Sequence, residues 1–166
     1  MVAKPSIGIR SEGNLWDVMK IWDVIVVGAG PAGSTAAYYA AKEGASVLLI
    51  DKKDKIGLPV KCGEYYLTEN EIKNIFPKVA NISELFFDIP KSVIMNKTRI
   101  LRFVSPFGER YDSPSEAYII DREKFDYYLA QKAIASGVIL KHPLRAVALT
   151  NEGITAKNKS GSETFI

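Results

Sequence analysis

Residues Asp23 to Asp51 read D-V-I-V-V-G-A-G-P-A-G-S-T-A-A-Y-Y-A-A-K-E-G-A-S-V-L-L-I-D, which is an apolar strand, a glycine-rich turn, a helix, a second strand and a terminal acid in one βαβ unit. That order is the sequence form of a dinucleotide-binding site, and each part has a mechanical reason. Gly28 lets the chain turn tightly out of the strand, Gly30 lets backbone approach a pyrophosphate, and Gly33 lets the helix lie close on the sheet. Ala32 sits between the last two glycines, where the free N–H groups that open the helix face the phosphates. A bare G-x-G-x-x-G also fits an ordinary glycine-bearing loop. Here the β-branched strand before it, the Ala-rich helix with Gly44 at its C-terminal stop and the acid after the second strand separate the two readings.

Asp51 follows the apolar run Val47 to Ile50 and lies 18 positions beyond Gly33, near the roughly 20-residue spacing of an acid that hydrogen-bonds a ribose diol. A carboxylate there disfavours a 2′-phosphate. Lys52 and Lys53 answer such a phosphate in principle, but lysines directly after a strand are ordinarily solvated loop charges; Lys52 is counted with the cofactor-binding residues by its place beside Asp51. The expected ligand is an adenosine diphosphate moiety without a 2′-phosphate, as in FAD or NAD.

The 166 residues, 47% hydrophobic and 25% charged, suit one globular domain with a sizeable core. A net charge of +3, with Lys and Arg spread among Asp and Glu, gives no nucleic-acid patch. Cys62 is the single cysteine, so no internal disulfide forms and a reducing cytosol is the expected compartment. No apolar run approaches the roughly 18 residues that span a bilayer. Residues 1–18 read as a loose extension, with Met19 as a plausible start, and 19–166 as a partial cofactor domain into which strands of a second, β-rich domain are inserted at about 85–120.

After Asp51 comes a loop, K-K-D-K-I-G-L-P-V-K-C-G-E-Y-Y, too rich in Gly and Pro for core secondary structure. Thr68 and Glu71 predict a capping box and a helix through Ile72 and Ile75 that Pro77 stops. Asn81 to Pro90 gives no clear pattern. Ser92 onward predicts two strands joined at Pro106 to Gly108, then a third short strand at Ala117–Ile120. Asp121 caps a predicted helix with Phe125, Leu129, the Lys132 stem, Ala133 and Ser136 at spacings of three and four and Gly137 as its stop. One strand, Val138 to about Thr150, follows. Turn clusters at Asn151–Gly153 and Asn158–Ser162 then mark an antiparallel meander, and the ending at Ile166 predicts a truncated sheet with an exposed edge.

Three segments resemble the geranylgeranyl reductases, FAD-dependent enzymes of the p-hydroxybenzoate hydroxylase-like superfamily: the βαβ unit with Asp51, the loop I-G-L-P-V-K-C-G-E, similar to that family's G-x-P-x-x-C-G-E, and Y-I-I-D-R-E-K-F-D-Y-Y-L-A, similar to its D-R-x-x-F-D helix start. The first is shared by many flavoproteins; the second is more specific. The resemblance covers roughly Lys20 to Ile166 and only the N-terminal part of a member. It implies an α/β fold: a Rossmann-like FAD-binding βαβ with a parallel sheet, an antiparallel meander and part of a β-rich substrate domain. It implies FAD contacts at Gly28, Gly30 and Gly33 for the pyrophosphate, Asp51 for the adenosine ribose, Cys62 and Gly63 near the flavin, and Arg122 and Ala146 to complete the set. A second flavin motif, a Gly-Asp segment, does not occur after Thr150.

Other readings stand beside these. A lone cysteine is more often a small buried hydrophobe than a reactive group, although K-C-G-E tilts Cys62 toward function, with Lys61 placed to lower its pKa and Gly63 permitting close approach to a planar ring. Two cysteines are needed for a disulfide-reductase mechanism, which is excluded. Arg122 suits phosphate or ribityl oxygens at a helix start, or a surface ion pair. Tyr65 and Tyr66 stand where many relatives have a small residue after C-G-E. His142, the single histidine, has a structural or solvent-facing role, and no Cys/His cluster suggests a metal.

The resemblance therefore implies an oxidoreductase that saturates isoprenoid C=C bonds of archaeal-type membrane-lipid precursors, with a reduced nicotinamide or a ferredoxin-like protein as electron donor. Peripheral membrane contact is an expectation from the family, with no amphipathic helix to support it. The alternatives are a flavin monooxygenase of the same superfamily, and a noncatalytic fragment or one half of a split flavoprotein with a separate C-terminal half.

Overall fold

A computed structural model describes residues 21–80, 89–151 and 153–166. The predicted extension at 1–18, Met19, and most of the stretch 81–90 lie outside the described residues. The chain divides into two compact units, one running to Leu58 and resuming at Asp126–Ile166, the other Pro59–Phe125.

In the first unit β1 (Val24–Val27), α1 (Pro31–Lys42) and β2 (Val47–Ile50) form the predicted βαβ, and β6 (Ile139–Lys141) pairs with β2, giving a parallel sheet of order β1-β2-β6. Every residue of β2 is buried, as a central parallel strand requires, because both faces are covered. Val47 and Leu49 face a layer built from Ala37 of α1 and Ala130 and Ala133 of α3 (Arg122–Ala135). Leu48 and Ile50 point the other way, onto Leu144, Ala156 and Phe165. Those last residues belong to the meander side, which comprises β7 (Arg145–Leu149), β8 (Ile154–Asn158) and β9 (Gly161–Phe165) in order β7-β8-β9. Alternation along four residues thus holds three layers together, and burying each such aliphatic side chain is worth about 1.5–3 kcal/mol.

Gly44, in a left-handed conformation (φ +92°), ends α1 and donates its N–H to the Ala41 carbonyl. The predicted strand from Val138 to Thr150 is two strands in different sheets. Pro143 between them has no N–H for a ladder and fixes its own φ, so the chain leaves the parallel sheet there and Leu144 starts toward the meander, its N–H donated to the Asp51 carbonyl at 2.7 Å.

The second unit is an antiparallel sheet of order β3-β5-β4, with β3 Tyr65–Leu67, β4 Ile94–Val104 and β5 Arg110–Ile120. Tyr65 and Tyr66 were expected in a loop; they form β3 because their ladder partners, Ile119 and Tyr118, are supplied from far along the chain. The short strand expected at Ala117–Ile120 is the end of the longer β5. A register shift between Thr98 and Ile100 lets Pro114 stay within β5, a bulge absorbing the missing donor. α2 (Glu69–Ile75) starts as predicted, the Thr68 hydroxyl accepting the Glu71 N–H at 3.4 Å. Glu71 does not complete the box: its carboxylate accepts the Glu116 N–H of β5 at 2.6 Å, tying α2 to the sheet.

Candidate functional site

The strand-to-helix turn of the first unit is built on contacts that only glycine tolerates. Gly28 has φ +105°, and a Cβ placed on Gly33 would lie 1.8 Å from the Gly28 carbonyl oxygen, so α1 rests directly on the end of β1. Gly30 differs: a Cβ there would meet nothing within 4 Å. It is the N-cap of α1 and supplies no side-chain cap, and Pro31 follows with no N–H of its own. The opening N–H groups of α1, those of Ala32 and Gly33 among them, have no partner within the helix and face space that the absent Gly30 side chain leaves open. One residue on, Ser34 is fully buried and its hydroxyl oxygen has no partner among the described residues.

Asp51 is only 7% exposed. One carboxylate oxygen accepts the Ala29 N–H at 2.7 Å and the other the Lys53 N–H at 2.8 Å. Its main chain is held as well, the N–H donating to the Lys141 carbonyl at 3.1 Å. The acid is therefore fixed against the glycine loop with lone pairs still available, since each oxygen can accept two bonds. The bond to Ala29 has no signature beyond the spacing of loop and acid, and sequence reasoning did not identify it. Ala146 lies on β7 rather than on the strand directly after α3, opposite Ala156. A register shift follows between Ala146 and Ala148, a bulge that leaves backbone groups outside the ladder. Lys52 lines an open concavity of about 270 Å³ with Asp54, Arg145, Lys157, Asn158 and Lys159. His142 is exposed, its Nδ1 3.3 Å from the Lys53 carbonyl oxygen.

The second unit carries Cys62, Gly63 and Arg122. Cys62 is exposed, and its thiol is held below the ordinary value first by the Glu64 backbone N–H, with Arg122 adding a side-chain hydrogen bond and its positive charge. The cation beside the thiol is thus Arg122, from the start of α3, whereas the sequence neighbour Lys61 contributes nothing to the shift. Glu64 makes this possible by adopting φ +60°, a conformation uncommon outside glycine, and its carbonyl accepts the Ile120 N–H at 2.9 Å. Nothing in the sequence marks Glu64 for that conformation. Asp121 caps α3 as predicted: its carboxylate accepts the Lys124 N–H at 3.1 Å and pairs with the Lys124 ammonium at 3.0 Å, which lowers its pKa. Tyr66 packs edge-on against Phe125 with centroids 5.5 Å apart, and burial pushes its phenol up. The Tyr65 hydroxyl lies 2.8 Å from that of Ser115. No group of three or more His, Cys, Asp or Glu among the described residues could hold a metal.

These features define a flavoprotein-type dinucleotide fold, and comparison with known proteins agrees. A family model described as FAD dependent oxidoreductase matches residues 23–102. A protein of Methanosarcina barkeri from the nifH2 5′ region, itself uncharacterised, is 36% identical over 82% of this chain and 72% of its own length. Digeranylgeranylglycerophospholipid reductase 1 of Methanothermobacter thermautotrophicus is 34% identical over 86% of this chain and 36% of its own length. Among solved structures, a geranylgeranyl bacteriochlorophyll reductase-like protein of Thermoplasma acidophilum superposes with a TM-score of 0.74 at 30% identity, over 89% of this chain and 37% of that one. The chain belongs to the geranylgeranyl reductase family of FAD-dependent oxidoreductases, and it spans about a third of the length of the reductases it matches.

Proposed function

We propose that this chain supplies the FAD-binding part of an oxidoreductase that reduces isoprenoid C=C bonds of archaeal-type membrane-lipid precursors. The observation that carries the reading is the opening of α1: an uncapped helix start over a loop whose Gly30 leaves room for a pyrophosphate. The residues fit the cofactor. Gly28, Gly30, Ala32 and Gly33 would hold the pyrophosphate on backbone N–H groups, Asp51 the adenosine ribose, and the bulged backbone at Ala146 the adenine, with Lys52 flanking that end. Cys62, Gly63 and Arg122 would meet the flavin side, Arg122 holding the thiol toward thiolate. Bound FAD supplies hydride-transfer chemistry, and this chain's own residues bind and orient it. The donor is a reduced nicotinamide or a ferredoxin-like protein, and the setting is cytoplasmic, peripheral at the membrane; no helix among the described residues is long and apolar enough to cross one. Residues 19–166 act as the cofactor domain, with strands near 85–120 belonging to the substrate side.

The test is to mix the purified chain with FAD, remove free cofactor by gel filtration, and assay alkene reduction with a reduced donor. Retained FAD that an Asp51→Ala variant fails to hold supports the cofactor assignment. Oxygen uptake in proportion to substrate, with oxygen incorporated in the product, would replace reduction with monooxygenation. A second reading has its own support: the Methanosarcina relative is covered for 72% of its length, against 36% for the reductase. In that reading a separate chain supplies the remaining part, and activity appears only when the two are combined.

A further inference from the structure

Three cations on strands of this fold pair with acids. Arg102 is opposite Asp112 and bonds it through two nitrogens at 2.6 and 2.7 Å, Lys97 pairs with Glu116 at 3.1 Å, and Lys141 with Glu163 at 2.9 Å. The meander breaks this pattern. Arg145 of β7 is the direct register partner of Lys157 of β8, whose other neighbour is Ser162 of β9. The row across the three strands is therefore two cations and a hydroxyl, on the face opposite the buried Ala156. Like charges directly opposite destabilise an antiparallel pair, and neither Arg145 nor Lys157 has an ion-pair partner among the described residues.

Two further cations join them around the concavity of about 270 Å³. Lys159 sits in the β8–β9 turn, which Asn158 shapes by accepting the Ser160 and Gly161 N–H groups at 2.8 and 3.1 Å. Lys52 comes from the turn that Asp51 fixes through the Lys53 N–H. Asp54 is the one acid of the lining. Four cations against one carboxylate focus positive potential on a space of phosphate-ester size, and a guanidinium beside ammonium groups matches the geometry of phosphate oxygens.

We propose that this concavity binds the phosphate group of a phosphorylated small molecule at a site separate from FAD. The repulsion between Arg145 and Lys157 is then relieved by the ligand, which converts a folding cost into binding energy. The phosphate has two sources of the same chemistry, a nucleotide or the phosphoglycerol headgroup of a lipid. The second rests on the reductase reading, whereas the anion site itself does not.

The experiment is isothermal titration of the full chain with sodium phosphate, adenosine monophosphate and glycerol phosphate at constant ionic strength, repeated with saturating FAD. Saturable phosphate binding that FAD leaves in place is expected. The double variant Arg145→Gln/Lys157→Gln should weaken it about tenfold or more while keeping wild-type circular dichroism and FAD retention, and Lys78→Gln should leave it unchanged. The ester that binds more tightly than inorganic phosphate names the source. Should the double variant fail to fold, Lys159→Gln, on the β8–β9 turn and outside the cofactor-binding set, gives the same readout. A second measurement is independent of affinity: in phosphate-free, low-salt buffer Lys157→Glu should raise the thermal midpoint, and added phosphate should raise that of the wild type but not of the variant. Binding that does not saturate, that survives both the Arg145→Gln/Lys157→Gln and the Lys159→Gln variants, or that FAD abolishes overturns the proposal. FAD retention, read from visible flavin absorbance, tests the reductase reading separately.

Discussion

Replacing Gly33 with alanine tests whether α1 is seated on β1 by the absence of one methyl group. On the present backbone the new Cβ would lie 1.8 Å from the Gly28 carbonyl oxygen and 3.0 Å from its carbon, both main-chain atoms that no rotamer change can move. Restoring ordinary contact requires the helix start to retreat by more than an ångström. That movement is resisted because Ala37 of the same helix is fully buried in the layer over Val47 and Leu49. Overpacking a filled interior costs about 1–3 kcal/mol; a clash with backbone rather than a flexible side chain belongs at the upper end, about 3 kcal/mol. Urea unfolding followed by far-ultraviolet circular dichroism reads this as a lower midpoint at unchanged slope. Gly30→Ala provides the contrast, since its Cβ meets nothing within 4 Å. It should cost only about 0.5–1 kcal/mol as a poorer N-cap, yet weaken FAD binding about tenfold or more by filling the space a pyrophosphate needs. If Gly33→Ala unfolds at the wild-type midpoint, or Gly30→Ala holds FAD as the wild type does, the division between a packing glycine and a ligand-facing glycine is wrong.

Asp51→Ala should cost about 2 kcal/mol, because the Ala29 and Lys53 N–H groups lose an ionised acceptor in a mostly buried setting; Asp51→Asn should recover part of that stability and little FAD affinity, measured by urea unfolding and FAD titration. The rate of Cys62 alkylation against pH should show a midpoint below the ordinary 9.0, and Arg122→Ala should move it upward but not fully, because the Glu64 N–H is the larger influence. Lys61→Ala should leave that midpoint in place, and the opposite ranking of the two variants would refute the assignment. The Asp121 carboxyl is depressed in the folded chain, so the stability it adds is present above its unfolded value near 3.8 and is lost as pH falls through the lower folded value. The stability difference between wild type and Asp121→Asn should therefore shrink as pH drops below about 3.8, in parallel urea titrations.

Where local chemistry alone decided the structure, the sequence was sufficient. The Thr68 and Asp121 caps and the Asn158 turn depend on residues within a few positions of one another, the βαβ unit on one contiguous stretch of under thirty residues, and each formed where its pattern lay. Three misreadings share the opposite cause. Tyr65 and Tyr66 become a strand through partners on β5, more than fifty positions on. Pro114 stays inside β5 because a bulge in β5, where Ser115 and Glu116 stand opposite the single Arg99 of β4, absorbs it. Val138 to Thr150 splits because Leu144 finds the Asp51 carbonyl outside the sheet that Ile139 to Lys141 enter.

The same division runs through the candidate site. Asp51 was legible from its distance to the glycines, whereas the bond that fixes it comes from Ala29, a residue with no polar side chain to announce itself. Around Cys62 the sequence offers Lys61 as the nearest cation, but adjacent residues in an extended or turning chain point away from one another, and a charge acts by distance in space. Arg122 is 60 positions away along the chain and is the cation that reaches the thiol. Its arrival depends on two non-local facts: β5 delivers Asp121 to the end of the sheet, where its N–H meets the Val93 carbonyl, and Glu64 takes a left-handed turn that Ile120 holds. Alanine in place of Arg122 should therefore change the thiol without unfolding the sheet, while changes to the Glu64–Ile120 contact should disturb both together.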